Sequence, residues 1–290
     1  MSLGELVVLA IKISIFAIVF AIGMSARPGD LMCVMRTPGR LARSLLAMVV
    51  VMPLLAVLLV TVFNLPRPVG VMLIALSLAP VPPILPGKQA KAGGDAVYAI
   101  GLLAAVALIA IIAIPLELEL IELAFGMSLG IPPERVAALI ATSILAPLLA
   151  GAAVARLAPK LASRLGPMFS KAGGLLLLAG TAAILVTQWG AMAELIGDGT
   201  LLAMTIFVVV GLVVGHLLGG PDSDDRTVLA LATASRHPGI ALLIAQINYP
   251  QETALAAAVL IFLVTNAVLT APYVLWRKRI WPGGDLSTPT

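Results

Sequence analysis

Prolines interrupt two long apolar segments of this chain at matching positions. The stretch from Ala75 to Pro83 aligns without a gap with the stretch from Ala230 to Pro238, 155 residues further on. Each stretch lies inside a segment long enough to cross a bilayer, and proline does not fit the interior of a regular helix. Paired interruptions in the two halves of a membrane protein are typical of transporters. We therefore expect two broken membrane helices that face the protein interior.

The composition excludes a soluble globular domain, because 61% of the 290 residues are hydrophobic and only 11% are charged. The apolar runs are continuous rather than alternating, which favours helices over a β-barrel. At about 20 residues for each crossing, we predict an all-α polytopic membrane protein with about nine transmembrane helices. Their expected bounds are 4–25, 41–63, 68–92, 95–123, 136–157, 172–190, 199–219, 227–247 and 253–275.

The same offset relates a second pair of prolines. Pro66 and Pro221 each follow an apolar span and precede a broken one. We predict inverted repeats at approximately 4–123 and 172–277, joined by a connector helix at 136–157, because a step of five spans reverses direction across the membrane. The chain would then be a single integral membrane domain, with its one longer loop at 156–171. Chance similarity in an Ala/Leu-rich chain is the alternative.

Basic residues lie at the ends of the spans, so the net charge of +4 reflects membrane orientation rather than nucleic-acid binding. One side would carry Arg27, Arg36, Arg40, Arg43, Lys91, Arg156, Lys160, Arg164, Lys171, Arg226 and Arg277 to Arg279. The opposite side keeps only Arg67 and Arg135. We predict a multi-pass protein of the plasma membrane, the inner membrane in a bacterium, with an external N-terminus and a cytoplasmic C-terminus.

No constellation of residues indicates an enzyme. The chain has no His-Glu-x-x-His pair and no phosphate-binding loop before a Lys-Ser or Lys-Thr pair. Its single cysteine, Cys33, excludes an internal disulfide framework and a multi-cysteine metal site. We expect Glu117, near the outer end of the fourth span, to lie at the membrane interface. Asn266 is expected to have only a packing role.

The first interruption must unwind its helix, because each proline removes a backbone N–H and restricts the residue before it. Its breaking residues are Pro80, Pro82, Pro83, Pro86 and Gly87. Irregular backbone at membrane depth is tolerated only inside protein or beside a water-filled cavity. Lys88 and Gln89 follow the break directly, so we predict that both contribute to a site at this interruption.

The second interruption places an arginine and a histidine deep in an apolar segment. Its candidate residues are Thr233, Ser235, Arg236, His237, Pro238 and Gly239. Arginine keeps its proton and needs an acceptor or a watery cavity. Arg236 either binds an anion beside the half-helix that begins near Pro238 or holds carbonyls freed by the break. His237 either titrates during transport or is a hydrogen-bonded structural residue.

Several motifs carry a resemblance to a known family. They are Gly23-Met24, Pro38, the run from Val51 to Ala56, Leu65-Pro66, the region from Pro80 to Asp95, and the run from Gly239 to Leu242. In order and spacing they resemble the bile acid/sodium symporter (BASS) family. The resemblance implies a panel domain and a core domain, two broken helices that cross at mid-membrane beside the substrate cavity, and alternating access. It also implies substrates such as bile acids, steroid sulfates or pantoate.

The sodium-binding signature of that family is missing. Leu85-Pro86 stands where the family has Ser-Asn, and the run from Ala232 to His237 stands where it has Glu-x-Gly-x-Gln-Asn. Loss of the carboxylate and the amide removes oxygen ligands that a hard cation requires. We therefore expect no cofactor and no metal site, and we expect the positive charges of Arg236 and Lys88 to replace those of sodium.

The sequence thus predicts a secondary transporter or facilitator of a small organic anion, a carboxylate or a sulfonate, that works without sodium. One alternative is a proton-coupled symporter that uses His237. Another is a membrane receptor or scaffold that kept the fold without transporting. Polar rings along a pore are not evident, which disfavours a channel. The sequence does not indicate an oligomeric state.

Overall fold

The computed structural model describes residues 3–27, 29–125 and 131–280, and within these ranges the secondary structure is helical. The helices are α1 (Leu3–Ser25), α2 (Pro38–Leu45), α3 (Met52–Val62), α4 (Arg67–Leu78), α5 (Leu85–Lys91), α6 (Ala96–Phe125), α7 (Pro133–Ile140), α8 (Ala146–Leu157), α9 (Pro159–Thr187), α10 (Trp189–Leu195), α11 (Thr200–Leu218), α12 (Ser223–Ala234), α13 (Pro238–Asn248) and α14 (Leu255–Ile280). Two π-helical turns, Leu46–Val51 and Ala141–Leu145, join α2 to α3 and α7 to α8.

Eight helical segments of the described ranges are long and apolar enough to cross a membrane. They are Leu6–Ser25, Pro38–Val62, Ala96–Ala124, Glu134–Leu157, Pro159–Thr187, Thr200–Leu218, Ser223–Asn248 and Leu255–Ile280. The remaining predicted span, 68–92, is divided into the shorter helices α4 and α5. The prediction of an all-α polytopic membrane protein with two discontinuous helices is confirmed.

The outer surface of the helices fits a lipid environment. Large apolar side chains are exposed along them, among them Leu58 of α3, Ile112 of α6 and Leu178 of α9. A monomeric protein in water rarely exposes such extensive apolar surface. The polar groups described below are buried between the helices, where side chains and carbonyls can pair them.

The expected loop at 156–171 is wrong, because α9 begins at Pro159, directly after α8 ends at Leu157. Proline suits the first turn of a helix, where its missing N–H costs nothing. The early part of α9 also packs on α1: a methyl group at Gly166 would lie 3.8 Å from the Cβ of Met24, and Ala162 is buried. This packing explains why the basic segment is helical.

Glycines allow very close contacts between helices. A methyl group at Gly151 of α8 would collide with the carbonyl oxygen of Phe20 in α1. A methyl group at Gly215 of α11 would lie 2.5 Å from the carbonyl oxygen of Leu229 in α12. Small residues commonly bring membrane helices together in this way. The first contact joins α1 to α8, and the second holds the first half of the second broken helix against α11.

Replacing Gly215 by alanine is expected to destabilise the protein. The added methyl group would collide with backbone atoms of α12, and such overpacking costs about 1–3 kcal/mol. Thermal unfolding in detergent should show a lower midpoint for Gly215→Ala than for wild type. Gly174→Ala is the matched control, because a methyl group there meets nothing within 4 Å. Equal midpoints for the two variants would contradict the close contact between α11 and α12.

Candidate functional site at the crossing of two broken helices

The two interruptions meet inside the protein. The first connection runs from the end of α4 at Leu78 to the start of α5 at Leu85, and the second from Ala234 to Pro238. The backbone N–H of His237 donates to the carbonyl oxygen of Pro80 at 2.8 Å. Helix α4 packs against α13, and α5 packs against α12. The two broken helices therefore cross, and their connections form the crossing point.

Arg236 donates to two carbonyl oxygens that prolines leave without a helical partner. Its Nη1 lies 3.2 Å from the oxygen of Ala79. In a continuous α-helix that oxygen would face the nitrogen of Pro83, which carries no hydrogen. Its Nη2 lies 3.2 Å from the oxygen of Met48. Met48 lies in a π-helical turn, and its partner five residues on is Pro53. Arg236 is 2% exposed, so its charge is held inside the protein.

Asn266 of α14 completes the second interruption. Pro238 has no N–H to offer the carbonyl of Ala234, four residues before it. The Nδ2 of Asn266 donates to that carbonyl oxygen at 2.8 Å, and its Oδ1 accepts from the hydroxyl of Ser235 at 3.3 Å. Asn266 therefore has a specific role at the break, beyond the packing role expected from the sequence. The signal that the sequence offered was a lone amide in an apolar helix.

His237 caps the second half of its broken helix. Its Nδ1 accepts from the backbone N–H groups of Gly239 and Ile240, at 3.2 Å and 3.3 Å. These are among the N–H groups that a helix start leaves unpaired. The side chain is buried at 3% exposure. Its ring thus makes the structural hydrogen bonds that were one of the two interpretations of the sequence.

Lys88 and Gln89 connect α5 to two other helices. The Nζ of Lys88 donates to the Oγ1 of Thr270 in α14 at 2.6 Å, and the Nε2 of Gln89 donates to the carbonyl oxygen of Val228 in α12 at 2.8 Å. The carbonyl partners of Arg236 belong instead to the first connection and to the π-helical turn before α3. The two cationic side chains therefore donate to different elements around the crossing.

The other predicted site residues have local roles. Thr233 donates to the carbonyl oxygen of Leu229 within its own helix, at 2.8 Å. Pro82 and Pro83 lie in the first connection, whereas Pro86 and Gly87 lie in the first turn of α5, and Pro238 and Gly239 lie in that of α13. Within the described ranges, no three His, Cys, Asp or Glu side chains are grouped to hold a metal ion.

Glu117 of α6 is buried and close to Arg236, not at the membrane interface as expected. It is 9% exposed, its Oε1 has no hydrogen-bond partner among the described residues, and both side chains line one cavity of about 10 Å³. The signal lay in helical spacing, since Ala110, Ile114 and Ile121 are buried on the same face. From the sequence alone, the charge of Glu117 indicated an interfacial position rather than a position on this buried face.

A larger cavity of about 270 Å³ lies between α3, α4, α6 and α13. Its walls are mainly apolar and include Gly70, Val71 and Ile74 of α4. Arg67 also lines it; its Nε pairs with a carboxylate oxygen of Glu252 at 3.2 Å. A cavity with apolar walls and a few polar groups is the common form of a small-molecule site.

A family model described as the sodium bile acid symporter family matches residues 12–195, more than half of the chain. The chain belongs to this family. The family consists of transporters, and the multi-pass architecture of the chain agrees with that assignment. The match includes the first broken helix and ends before the second, so the residues around Arg236 lie outside it. A search of curated proteins found no match.

Replacing Asn266 by alanine is expected to weaken the second break. The carbonyl of Ala234 would stay buried without a donor, which costs about 1–3 kcal/mol. The midpoint of thermal unfolding in detergent should fall. Val268→Ala is the control on the same helix, because Val268 is exposed and should change stability by no more than about 0.5 kcal/mol. An unchanged midpoint for Asn266→Ala would show that this carbonyl does not depend on Asn266.

Proposed function

We propose that this protein is a secondary transporter or facilitator of small organic anions, carboxylates or sulfonates, that works by alternating access without sodium. In this proposal Arg236 and Lys88 supply positive charge where the family uses sodium ions. The observation that carries it is the pair of hydrogen bonds from Arg236 to the freed carbonyls of Ala79 and Met48. Carbonyl oxygens are ligands that a hard cation would otherwise take.

Lys88 supports the proposal from the other side of the crossing. It follows the first connection and donates to Thr270, whose hydroxyl donates to the carbonyl oxygen of Asn266 at 2.6 Å. Asn266 in turn holds the second connection. A fixed cation on each side would organise the crossing without a bound ion, because each cation donates to oxygen atoms of neighbouring elements.

The large cavity is the proposed binding site for the anion. Its apolar walls suit the hydrocarbon part of an amphipathic carboxylate or sulfonate, and Arg67, which also pairs with Glu252, brings a guanidinium group to the cavity wall. It lies between α4, the first half of one broken helix, and α13, the second half of the other, next to the crossing. This placement agrees with the general position of substrate sites beside discontinuous helices.

The proposal includes inverted repeats at approximately 4–123 and 172–277, with the connector helix near 136–157. Helices α4 and α12 support it, since each has 12 residues and ends at a break. The long helices that follow, α6 and α14, each contain an internal proline, Pro115 and Pro272. For alternating access, the group of α1, α8 and α9 would move relative to the helices around the crossing.

The proposed orientation places the N-terminus outside the plasma membrane and the C-terminus in the cytoplasm. One end of the bundle gathers Arg40, which pairs with Asp225 at 2.8 Å, and Arg277, which donates to Ser223. An excess of basic residues marks the cytoplasmic end of membrane proteins. In a protein with Cys33 replaced by alanine, labelling of a cysteine introduced at the exposed Lys160, in the first turn of α9, from the cytoplasmic side only would agree with this orientation. Labelling from outside would reverse it.

Uptake into liposomes tests the transport proposal. The purified protein would be reconstituted and offered a labelled bile acid, a steroid sulfate and pantoate, with sodium or with sodium replaced by potassium. We expect equal uptake in both solutions, because the charge of Arg236 is part of the chain. Uptake that requires sodium would contradict the proposal, and binding without uptake would favour a receptor. Arg164→Gln, at an exposed arginine, is the control for the Arg236 variants described next, because it also removes one positive charge.

A double variant tests the role of Arg236 more directly. Ala232→Glu together with Arg236→Gln restores the oxygen-bearing side chains of the family motif at two buried positions. We expect its uptake to become dependent on sodium, whereas Arg236→Gln alone should lose uptake by about tenfold or more, the effect of roughly 1.4 kcal/mol. Sodium-independent uptake by both variants, at wild-type rates, would show that Arg236 has no such role.

Filling the large cavity should block uptake. Val71→Trp places a bulky side chain in the space between α4 and α13, so the anion could no longer enter. We expect at least about a tenfold loss of uptake, or about 1.4 kcal/mol of binding free energy. Val62→Trp is the control, because Val62 is exposed on α3. Similar uptake by the two variants would place the substrate elsewhere.

A further inference from the structure

Glu117 and Arg236 each leave a buried polar atom unpaired. The Oε1 of Glu117 and the Nε of Arg236 have no hydrogen-bond partner among the described residues. Both side chains line the small cavity, and no hydrogen bond or ion pair joins them in the described part of the chain. Buried polar groups are nearly always paired, so an orphaned carboxylate oxygen this deep calls for a ligand.

The size of the cavity limits what that ligand can be. At about 10 Å³ it holds roughly one water molecule and no organic anion. A metal cation is disfavoured there by the positive charge of Arg236. A proton, with or without one water, satisfies the carboxyl oxygen and fits the space. Intramembrane carboxyl groups of this kind mark proton relays in transporters.

The surroundings of Glu117 leave Arg236 as the charge that acts on it. The other lining residues on neighbouring elements, Met48, Val49, Leu78, Ala79 and Pro80, have no titratable side chain. The charged groups on elements that pack against α6 have other partners or are remote from Glu117. Arg40 pairs with Asp225, Arg67 pairs with Glu252, and Arg226 donates to the carbonyl oxygen of Gly220. Lys88 donates to Thr270, Asp30 accepts from the N–H of Arg27, and Arg43 lies beside Gly220. Lys91, Glu134 and Arg135 are exposed, and Asp224 lies in the first turn of α12, at the end away from the break.

His237 is less suited to carry the proton. Its Nδ1 already accepts two backbone hydrogen bonds, and protonation of that nitrogen would break both. The neutral ring that accepts at Nδ1 already has its hydrogen on Nε2. Proton binding at His237 would therefore disturb the start of α13, whereas proton binding at Glu117 breaks no hydrogen bond of its unpaired oxygen.

The large cavity lies next to Glu117. Leu118, the next residue, lines the large cavity together with Ile74 and Ala75 of α4. Leu78, about one helical turn further along α4, lines the small cavity with Glu117. The large and small cavities thus share two helices, α4 and α6, and lie next to each other along them.

We propose that Glu117 is a proton-binding site, and that its proton is bound and released once in each transport cycle. Ionised Glu117 balances the charge of Arg236. When an anion binds next to the crossing, it brings a second negative charge toward the same arginine, and protonation of Glu117 removes the repulsion. Anion and proton would then move together. This coupling rests on the transport proposed above, but proton binding does not.

Infrared spectroscopy tests proton binding without any substrate. Spectra of the purified protein over a range of pH should show the C=O stretch of a buried carboxylic acid that appears as the pH falls. The band should be lost in Glu117→Gln and kept in Glu119→Gln, the control at an exposed carboxylate on the same helix. Size-exclusion chromatography would check that each variant is folded. A band that is unchanged in folded Glu117→Gln overturns the proposal.

Uptake under a pH gradient tests the coupling. An inward proton gradient should raise the initial uptake rate of wild type and of Glu119→Gln several-fold, while Glu117→Gln should transport at a rate that the gradient does not change. Equal stimulation of all three proteins overturns the coupling. Loss of the infrared band in Glu117→Gln with no uptake by any protein would support the proton site and overturn the transport function.

Discussion

Backbone carbonyls without helical partners are the constraint on which the crossing depends. In the interior of a membrane protein no bulk water is present to hydrogen-bond them, so each needs a donor from the protein itself. Pro53, Pro83 and Pro238 each remove one such donor. Arg236 supplies two of the replacements and Asn266 the third, so two side chains hold both interruptions together.

This arrangement gives a physical reason for a deeply buried arginine. Guanidinium has five N–H groups in a planar fork and accepts no hydrogen bonds, which suits a site surrounded by carbonyl oxygens. Removing it would leave two buried oxygens unpaired, not one. Arg236, whose Nε has no hydrogen-bond partner among the described residues, lines the same small cavity as Glu117. One side chain therefore both holds the freed carbonyls and places a positive charge beside Glu117.

The membrane class, the helical fold and the positions of both breaks could be predicted from apolar length and proline chemistry, which act locally. The contacts of the site could not. Arg236 was recognised as needing acceptors, but Met48 is 188 residues away in the chain and offers its carbonyl only because of a π-helical turn. Glu117 was misplaced because a carboxylate near a span end is usually solvated. The helix from 159 was missed because its basic residues resemble those of a loop.

The two hydrogen bonds of Arg236 also limit how the molecule can move. They reach from the second connection to the first connection and to the turn between α2 and α3. Separating any two of these parts would expose a charge and its acceptors to a medium of low polarity. We therefore expect this junction to move as one rigid body in the proposed transport cycle. In the proposed alternating-access cycle, the displacement would then occur where α1, α8 and α9 meet the rest of the bundle.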